Sequence, residues 1–425
     1  MRIGFDSQKY VELQAAHIRE RIGSFGGKLY LEFGGKLFDD MHASRVLPGF
    51  APDEKIRMLQ SFKDDVEIIV AVNANDIESG KVRGDLGITY DEDVLRLIDI
   101  FQGMGFLVSA VVVTRYAGQP AADVFRARLD AMGMRSYRHY PIAGYPVDVD
   151  YVASDEGFGK NDYIETTRPL VVMTAPGPGS GKMATCLSQI YLDAKHGIKA
   201  GYAKYETFPV WNLPLKHPVN LAYEAATADL EDLNIIDPFH MQAYGKEAVN
   251  YNRDVEAFPV LKALMEGLYG ESPYQSPTDM GVNMAGFAIT DDAAVRDAAR
   301  MEIVRRYFSA CVNTKRTGCG ADQISKLKML MKQAGVTPDL SPIRAAALAK
   351  EEATGKPAGA LMLPNGEVIS GRTSTRLGAA SSLLLNALKY LADIPEETYT
   401  ISNEAIDPIC HLKTELLHSK NPRLH

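Results

Sequence analysis

Two hydrophobic periods alternate along the first half of the chain. Near-continuous apolar runs of strand length occupy 28–33, 66–72, 106–113, 170–173 and 198–205. Before and between them, apolar residues recur every three to four positions over 10–22, 52–62, 90–102, 121–132 and 182–196. That spacing keeps one face of a helix apolar. Single helices between buried strands mean right-handed crossovers and a parallel sheet covered on both faces. The predicted fold class is therefore α/β, with a Rossmann-like or P-loop-like parallel sheet in residues 1–215.

The pattern changes near Pro218. Helical spacing dominates over 219–233, 246–268, 291–313, 321–334 and 342–352, so 216–354 reads as a helical domain. It changes again at Ala358. Apolar residues there flank Asn365-Gly366, the favoured two-residue hairpin turn, and a helical stretch follows over 379–391. Residues 355–425 are read as a C-terminal α/β module. One hairpin and one helix make a thin domain. A truncated C-terminus, or completion by a partner chain, is expected.

The densest chemical signal follows the run at 170–173. Gly177, Gly179 and Gly181 alternate with Pro178 and Ser180, and Lys182 opens the next helix. A glycine loop entering a helix aims several backbone N–H groups and the positive end of the helix dipole at one point. Phosphate is the usual occupant of such a point. The match to G-x-x-x-x-G-K-[ST] is incomplete: Pro176 stands at the first glycine and Met183 at the Mg²⁺-binding hydroxyl. Thr185 is the next hydroxyl, about half a turn round the helix. Lys182 is the expected catalytic cation. Gly177, Gly179, Ser180, Gly181, Lys182 and Thr185 are the expected cofactor-binding residues, with ATP and magnesium as the cofactor.

Other candidates stand where strands end, since ligands of open α/β sheets bind at that edge. At the end of 198–205 and after it come Lys204, Glu206, Lys216 and His217, with Glu206 a cation ligand or base and the others phosphate partners. After 66–72 come Asn73, Asn75, Asp76, Lys81, Arg83 and Asp85, and after 106–113 comes Arg115. Asn73, Asn75, Lys81, Arg83, Arg115, Lys204, Lys216 and His217 form the expected substrate-binding set. The single tryptophan, Trp211, reads as a packing anchor, and Lys315 and Arg316 as helix C-terminal charges.

Composition excludes more than it assigns. A chain of 425 residues with 46% apolar and 24% charged positions is an ordinary globular protein of two or three domains. Its net charge of −8 argues against coating a nucleic acid. Cys186, Cys311, Cys319 and Cys410 form no C-x-x-C, so neither a disulfide framework nor a zinc knuckle is signalled. No apolar leader opens the chain and no apolar run can span a bilayer. A cytoplasmic protein with no nucleic-acid or membrane partner and no metal centre is expected. H-E-x-x-H and G-x-S-x-G are absent, so a protease is not supported.

Three strings carry a resemblance: the loop 174–185, the stretch 204–230 that begins Lys-Tyr-Glu-Thr-Phe-Pro-Val-Trp-Asn, and the opening Gly-Phe-Asp-Ser-Gln-Lys-Tyr at 4–10. Together they resemble a bacterial family of a domain of unknown function, over essentially the whole chain. Its members have at times been labelled ATP-dependent peptidases. The resemblance implies an α/β domain, a helical domain and a C-terminal α/β piece, in a longer chain, and implies no catalytic residue. The C-terminal hairpin and helix are also similar in layout to the cytidine-deaminase fold. The stretch 375–380, Thr-Arg-Leu-Gly-Ala-Ala, holds neither its zinc ligand nor its acid. Arg372 and Arg376 would leave such a module a binding or assembly role.

The function expected is phosphoryl transfer, or phosphate-activated ligation, on a small molecule, by an ATP-dependent transferase or ligase. The alternative is a nucleotide- or metabolite-binding regulatory protein without turnover, which Met183 would suit. A dinucleotide oxidoreductase is weakened because Lys182 stands at the third glycine of G-x-G-x-x-G. A homo-oligomer is expected by analogy with other incomplete modules.

Overall fold

The computed structural model describes residues 2–424 apart from 35, 36, 39, 85 and 231. Its first strands are β1 (Leu29–Phe33), β2 (Val66–Asn73), β3 (Leu107–Thr114), β4 (Ser136–Arg138), β5 (Leu170–Thr174) and β6 (Gly201–Tyr205). They are followed by β7 (Asn234–Ile236), β8 (Val249–Tyr251) and β9 (Gly281–Val282). All but β7 and β8 pair in parallel as one seven-stranded sheet, in the order β4-β3-β2-β5-β1-β6-β9. β1, β2, β5 and β6 are buried along their whole length. Burial on both faces is why these strands read as near-continuous apolar runs rather than alternating ones.

The chain steps outward from β1 through β2 and β3 to β4, returns to β5, then steps the other way to β6 and β9. Right-handed crossovers therefore put helices Tyr90–Gly103 and Pro120–Ala131 on one face and Lys182–Lys195 on the other. Helix Asn252–Tyr269 packs against Lys182–Lys195, and Ser7–Ser24 packs against β6 and β9. The expected α/β class and parallel sheet are thus present, and the five apolar runs are β1, β2, β3, β5 and β6. The periodicity missed β4 and β9, which are too short to show a period, and the antiparallel pair β7–β8. β8 lies inside the stretch 246–268 with helical spacing, and β7 and β9 fall between such stretches.

Contacts divide the chain into two compact units, one of Ile3–Ala299 and one that takes Arg300 onward; the division falls within helix Asp292–Thr317. In the second unit Lys315 and Arg316 occupy the last turn of that helix, ahead of the left-handed Gly318. They complement the dipole there. Further on, β10 (Ala358–Met362) and β11 (Val368–Arg372) form an antiparallel hairpin. Its turn differs from the expected Asn365-Gly366 pair. Gly366 N–H donates to Leu363 O at 2.9 Å, and Gly366 alone is left-handed, at φ 90°. Pro364 has its φ fixed near −65°, so Pro364-Asn365 take the corners of a type I turn and Gly366 forms the bulge after it. Helix Ala379–Leu391 lies against this hairpin so closely that a Cβ at Gly371 would meet Leu383 N at 2.4 Å.

The segment between β4 and β5 is locked to the sheet's other face by His139. Its Nε2 lies 3.1 Å from Gln189 Nε2, on helix Lys182–Lys195, and 3.3 Å from Asp162 O. Burial pushes the imidazole pKa down to about 4. The unfolded chain takes up this proton near pH 6.5, the folded protein only near 4. Stability present above the higher value is therefore lost as pH falls across that window. We expect urea unfolding to show about 2 kcal/mol of this loss between pH 7.5 and 5. The His139→Gln variant should lack that part of the slope; an unchanged slope would refute the assignment.

Candidate functional site

Parallel pairing gathers the carboxyl ends of the strands at one edge. After β5 the chain turns through the glycine loop into helix Lys182–Lys195. Gly179 and Gly181 are left-handed, with φ of 73° and 80°. The third glycine has another cause: a Cβ at Gly177 would lie 2.4 Å from the Tyr90 hydroxyl. The loop carbonyls are tied back into the protein. Ser180 Oγ donates to Gly177 O at 2.5 Å, Asn73 Nδ2 to Gly179 O at 3.4 Å, and Thr114 Oγ1 to Ser180 O at 2.7 Å. Among the described residues, the N–H groups of Ser180, Gly181, Lys182, Met183 and Ala184 donate to no protein acceptor. Donors left free while their carbonyls are held behind them make an anion-binding concavity.

Two unpaired cations flank this loop. Among the described residues no carboxylate makes an ion pair with Lys182 or Arg115. Lys182 is half-buried; burial pushes its pKa down, and the Glu32 carboxyl works against that shift. Arg115 is exposed, directly after β3, with a left-handed φ of 50°. That conformation strains any residue with a Cβ. It is held in place by Gln119 Nε2, which donates to Arg115 O at 3.1 Å and to Asn75 Oδ1 at 2.8 Å.

Across the edge lies a buried group of acids around one lysine. Glu32 stands level with Met173 of β5 on one side and with Lys204 of β6 on the other. Its Oε2 accepts from the Tyr202 hydroxyl at 2.7 Å. Lys204 Nζ donates to Asp254 Oδ1 at 2.6 Å and Oδ2 at 2.5 Å, and to the Tyr251 hydroxyl. Burial opposes the lysine's charge, but Asp254, Tyr251, Glu206 and Glu32 outweigh it and hold its pKa well above the usual value. Glu206 Oε1 lies 3.4 Å from the same ammonium. Burial pushes the Glu206 pKa well above the carboxyl range; Lys204 pulls it back and Asp254 adds to the rise. Burial and Asp254 thus favour the neutral form of Glu206, and the Lys204 ammonium favours its charged form. Tyr145 lies within electrostatic reach of both groups. Its phenol pKa is raised by burial first, then by Glu32 and Asp254, while Lys204 and Arg115 act in the opposite sense.

The structure brings Gly177, Gly179, Ser180, Gly181, Lys182, Asn73, Arg115, Lys204 and Glu206 to this edge. Thr185 is fully buried one turn in, with its hydroxyl unbonded. Asn75 supports the wall through Gln119. Lys81 pairs with Asp76 at 3.2 Å and lies over the Tyr90 ring. Arg83 is bound to the buried Asp93 at 2.8 Å. His217 caps helix Pro218–Ala226 through Val219 N at 3.2 Å, and its Nε2 lies 3.0 Å from Asp292. Lys216 is exposed, and Asp85 falls outside the described residues. Trp211 is a packing anchor, its Nε1 donating to Asn283 O at 3.0 Å. Sequence reasoning missed Glu32, Tyr145, Tyr251 and Asp254. Only Glu32 carried a signal, as a lone charge inside the apolar run of β1. Among the described residues no three His, Cys, Asp or Glu side chains are grouped to hold a metal, and no helix is long and apolar enough to cross a membrane.

The family described as Domain of unknown function DUF1846, N-terminal, matches residues 3–335, and its C-terminal counterpart matches 339–425. Similar proteins include the UPF0371 protein of Streptococcus sanguinis strain SK36. It is 58% identical over 424 residues, which cover 100% of this chain and 86% of that protein. UPF0371 protein str1377 of Streptococcus thermophilus strain CNRZ 1066 is 57% identical over 421 residues, covering 99% of this chain and 85% of its own. A UPF0371 protein of Streptococcus pneumoniae serotype 4 is 58% identical over the same 421-residue length. The resemblance carried by the three strings is borne out.

The Lys204–Asp254 pair is buried on both sides, so removing one partner strands the other's charge. Lys204→Met and Asp254→Asn should each lower stability by about 3–5 kcal/mol in urea unfolding. The double variant should cost clearly less than the sum. Additive losses would show that the two groups do not act as a pair.

Proposed function

The chain belongs to the DUF1846 family, and we propose that it seats a phosphate-bearing small molecule on residues 177–184 and acts on it at the adjoining Lys204–Glu206–Asp254 cluster. One observation carries the reading: the loop's carbonyls are bound from behind while five successive N–H groups remain free. Lys182 and Arg115 supply charge on either side of that seat. The reaction class is phosphoryl transfer or phosphate-activated ligation, since such chemistry needs little beyond positioning and fixed positive charge around the phosphoryl oxygens. Glu206, whose pKa burial raises and which lies 3.4 Å from a buried ammonium, is suited to exchange a proton with a departing oxygen. ATP with magnesium is the co-substrate this reading tests first.

The finer likenesses belong to the same proposal. A P-loop-like reading is supported by the two left-handed glycines ahead of the helix and by Lys182 in its first turn. A deaminase-like reading of the C-terminal module is supported only by its hairpin followed by helix Ala379–Leu391. A second reading, binding without turnover, is favoured by Met183 at the hydroxyl position and by Lys204, whose three protons are already committed to Asp254 and Tyr251.

Thermal-shift titrations with inorganic phosphate, ATP, GTP, NAD⁺ and NADP⁺, each with and without Mg²⁺, test the seat. A ligand at about one hundred times its Kd should stabilise the wild type by about 2.7 kcal/mol. The Lys182→Ala variant should lose most of that shift. An equal shift in Lys182→Ala, or no shift with any phosphate compound, would refute the proposal. Binding with no product formed from any acceptor would favour the second reading.

A further inference from the structure

Resting on the phosphate seat just proposed, we infer that the substrate's other end is a chain or ring of hydroxyl groups: a phosphorylated polyol or sugar. The buried cluster that adjoins the seat mixes donors and acceptors. Glu32, Asp254 and Glu206 offer carboxyl oxygens, and the Tyr251 hydroxyl, which accepts from Lys204, keeps its own O–H to donate. A bound amine needs acceptors only, and a second anion needs donors only. A hydroxyl both gives and takes, and is the group that uses such a mixture. Charge agrees. Lys204 is already neutralised by Asp254, at 2.5 Å, so it offers little to a second anion.

Register sets the length of the substrate. Glu32 lies one strand from β5 and Lys204 two strands from it. Parallel strands are about 4.8 Å apart, so the polar cluster begins on the order of 5–10 Å from the loop. A three- to six-carbon phosphate ester spans that distance (roughly 1.3 Å per bond of extended chain). Glu32 and Glu206 each keep 8% of their surface open. Glu206 Oε1 is buried without a hydrogen bond, because the Lys204 protons go elsewhere. An orphaned buried acceptor of this kind is costly unless a bound group satisfies it.

The test is calorimetric titration of the full chain with inorganic phosphate, glycerol 3-phosphate, a pentose 5-phosphate, a hexose 6-phosphate, the matching unphosphorylated sugars, and ATP. At least one hydroxylated phosphate ester should bind about ten-fold or more tighter than inorganic phosphate, the increment expected of one or two buried hydroxyl contacts. Glu32→Gln should remove most of that advantage while inorganic phosphate binding persists. Lys182→Ala should weaken every phosphate ligand alike. If phosphate binds but no ester binds tighter, or if ATP binds tightest, the hydroxyl inference falls and the phosphate seat stands. If no phosphate compound binds, both fall.

Discussion

Parallel strand pairing is the constraint on which this structure depends. Seven strands running one way put every carboxyl end at a single edge, and the return of the chain from β4 to β5 threads new connections between old ones. The result is a composite edge. The β5 loop is held from behind by side chains that end β2 and β3, Asn73 and Thr114. The lysine on β6 meets an acid on β1 in register and a second acid at the start of helix Asn252–Tyr269. No one segment contains the site. It exists because five parallel strands bring their carboxyl ends to the same edge.

The cations at this edge divide into those committed to the fold and those left over. Arg83 holds the buried Asp93, and Lys204 is enclosed by Asp254 and Tyr251. A buried pair seldom adds stability over apolar packing, because desolvation offsets much of the attraction. Its presence at a strand end, beside an acid whose charged form burial disfavours, is more easily understood as chemistry than as architecture. Lys182 and Arg115 are the remainder. One is half-buried with its charge disfavoured, and the other is fixed in a strained backbone conformation without an acidic partner. Both stand beside free N–H groups, so positive charge is concentrated where, among the described residues, no carboxylate pairs with it.

How much of this was legible follows from what each element owes to local pattern. β1, β2, β3, β5 and β6 are buried on both faces, so their apolar runs were unmistakable. The glycine loop carried its own composition. β9 has two residues and owes its place to β6 alone, and the turn at Pro364-Asn365 was hidden by the stronger Asn365-Gly366 signal. The site split in the same way. Lys182, Lys204 and Glu206 were visible because they lie near strand ends in sequence. Asp254 and Tyr145 come from distant segments, and only tertiary packing brings them to Lys204. The upward pKa shift of Glu206 was not legible at all, because burial and Asp254 cause it and the sequence shows neither.

The three loop glycines show how far composition under-determines function. They look equivalent, yet each is glycine for a different reason. Gly177 yields space to the Tyr90 hydroxyl, and Gly181 combines a left-handed φ with close approach to Thr114, whose Oγ1 would lie 3.1 Å from a Cβ. Gly179 is left-handed too, but a Cβ there would meet nothing within 4 Å. The first two glycines therefore fit the loop to the protein behind it. Only Gly179 leaves room in front, and that room is where an anion would approach the free N–H groups. A glycine-rich loop is thus two features superimposed: a joint that must pack against its neighbours, and a face that must not.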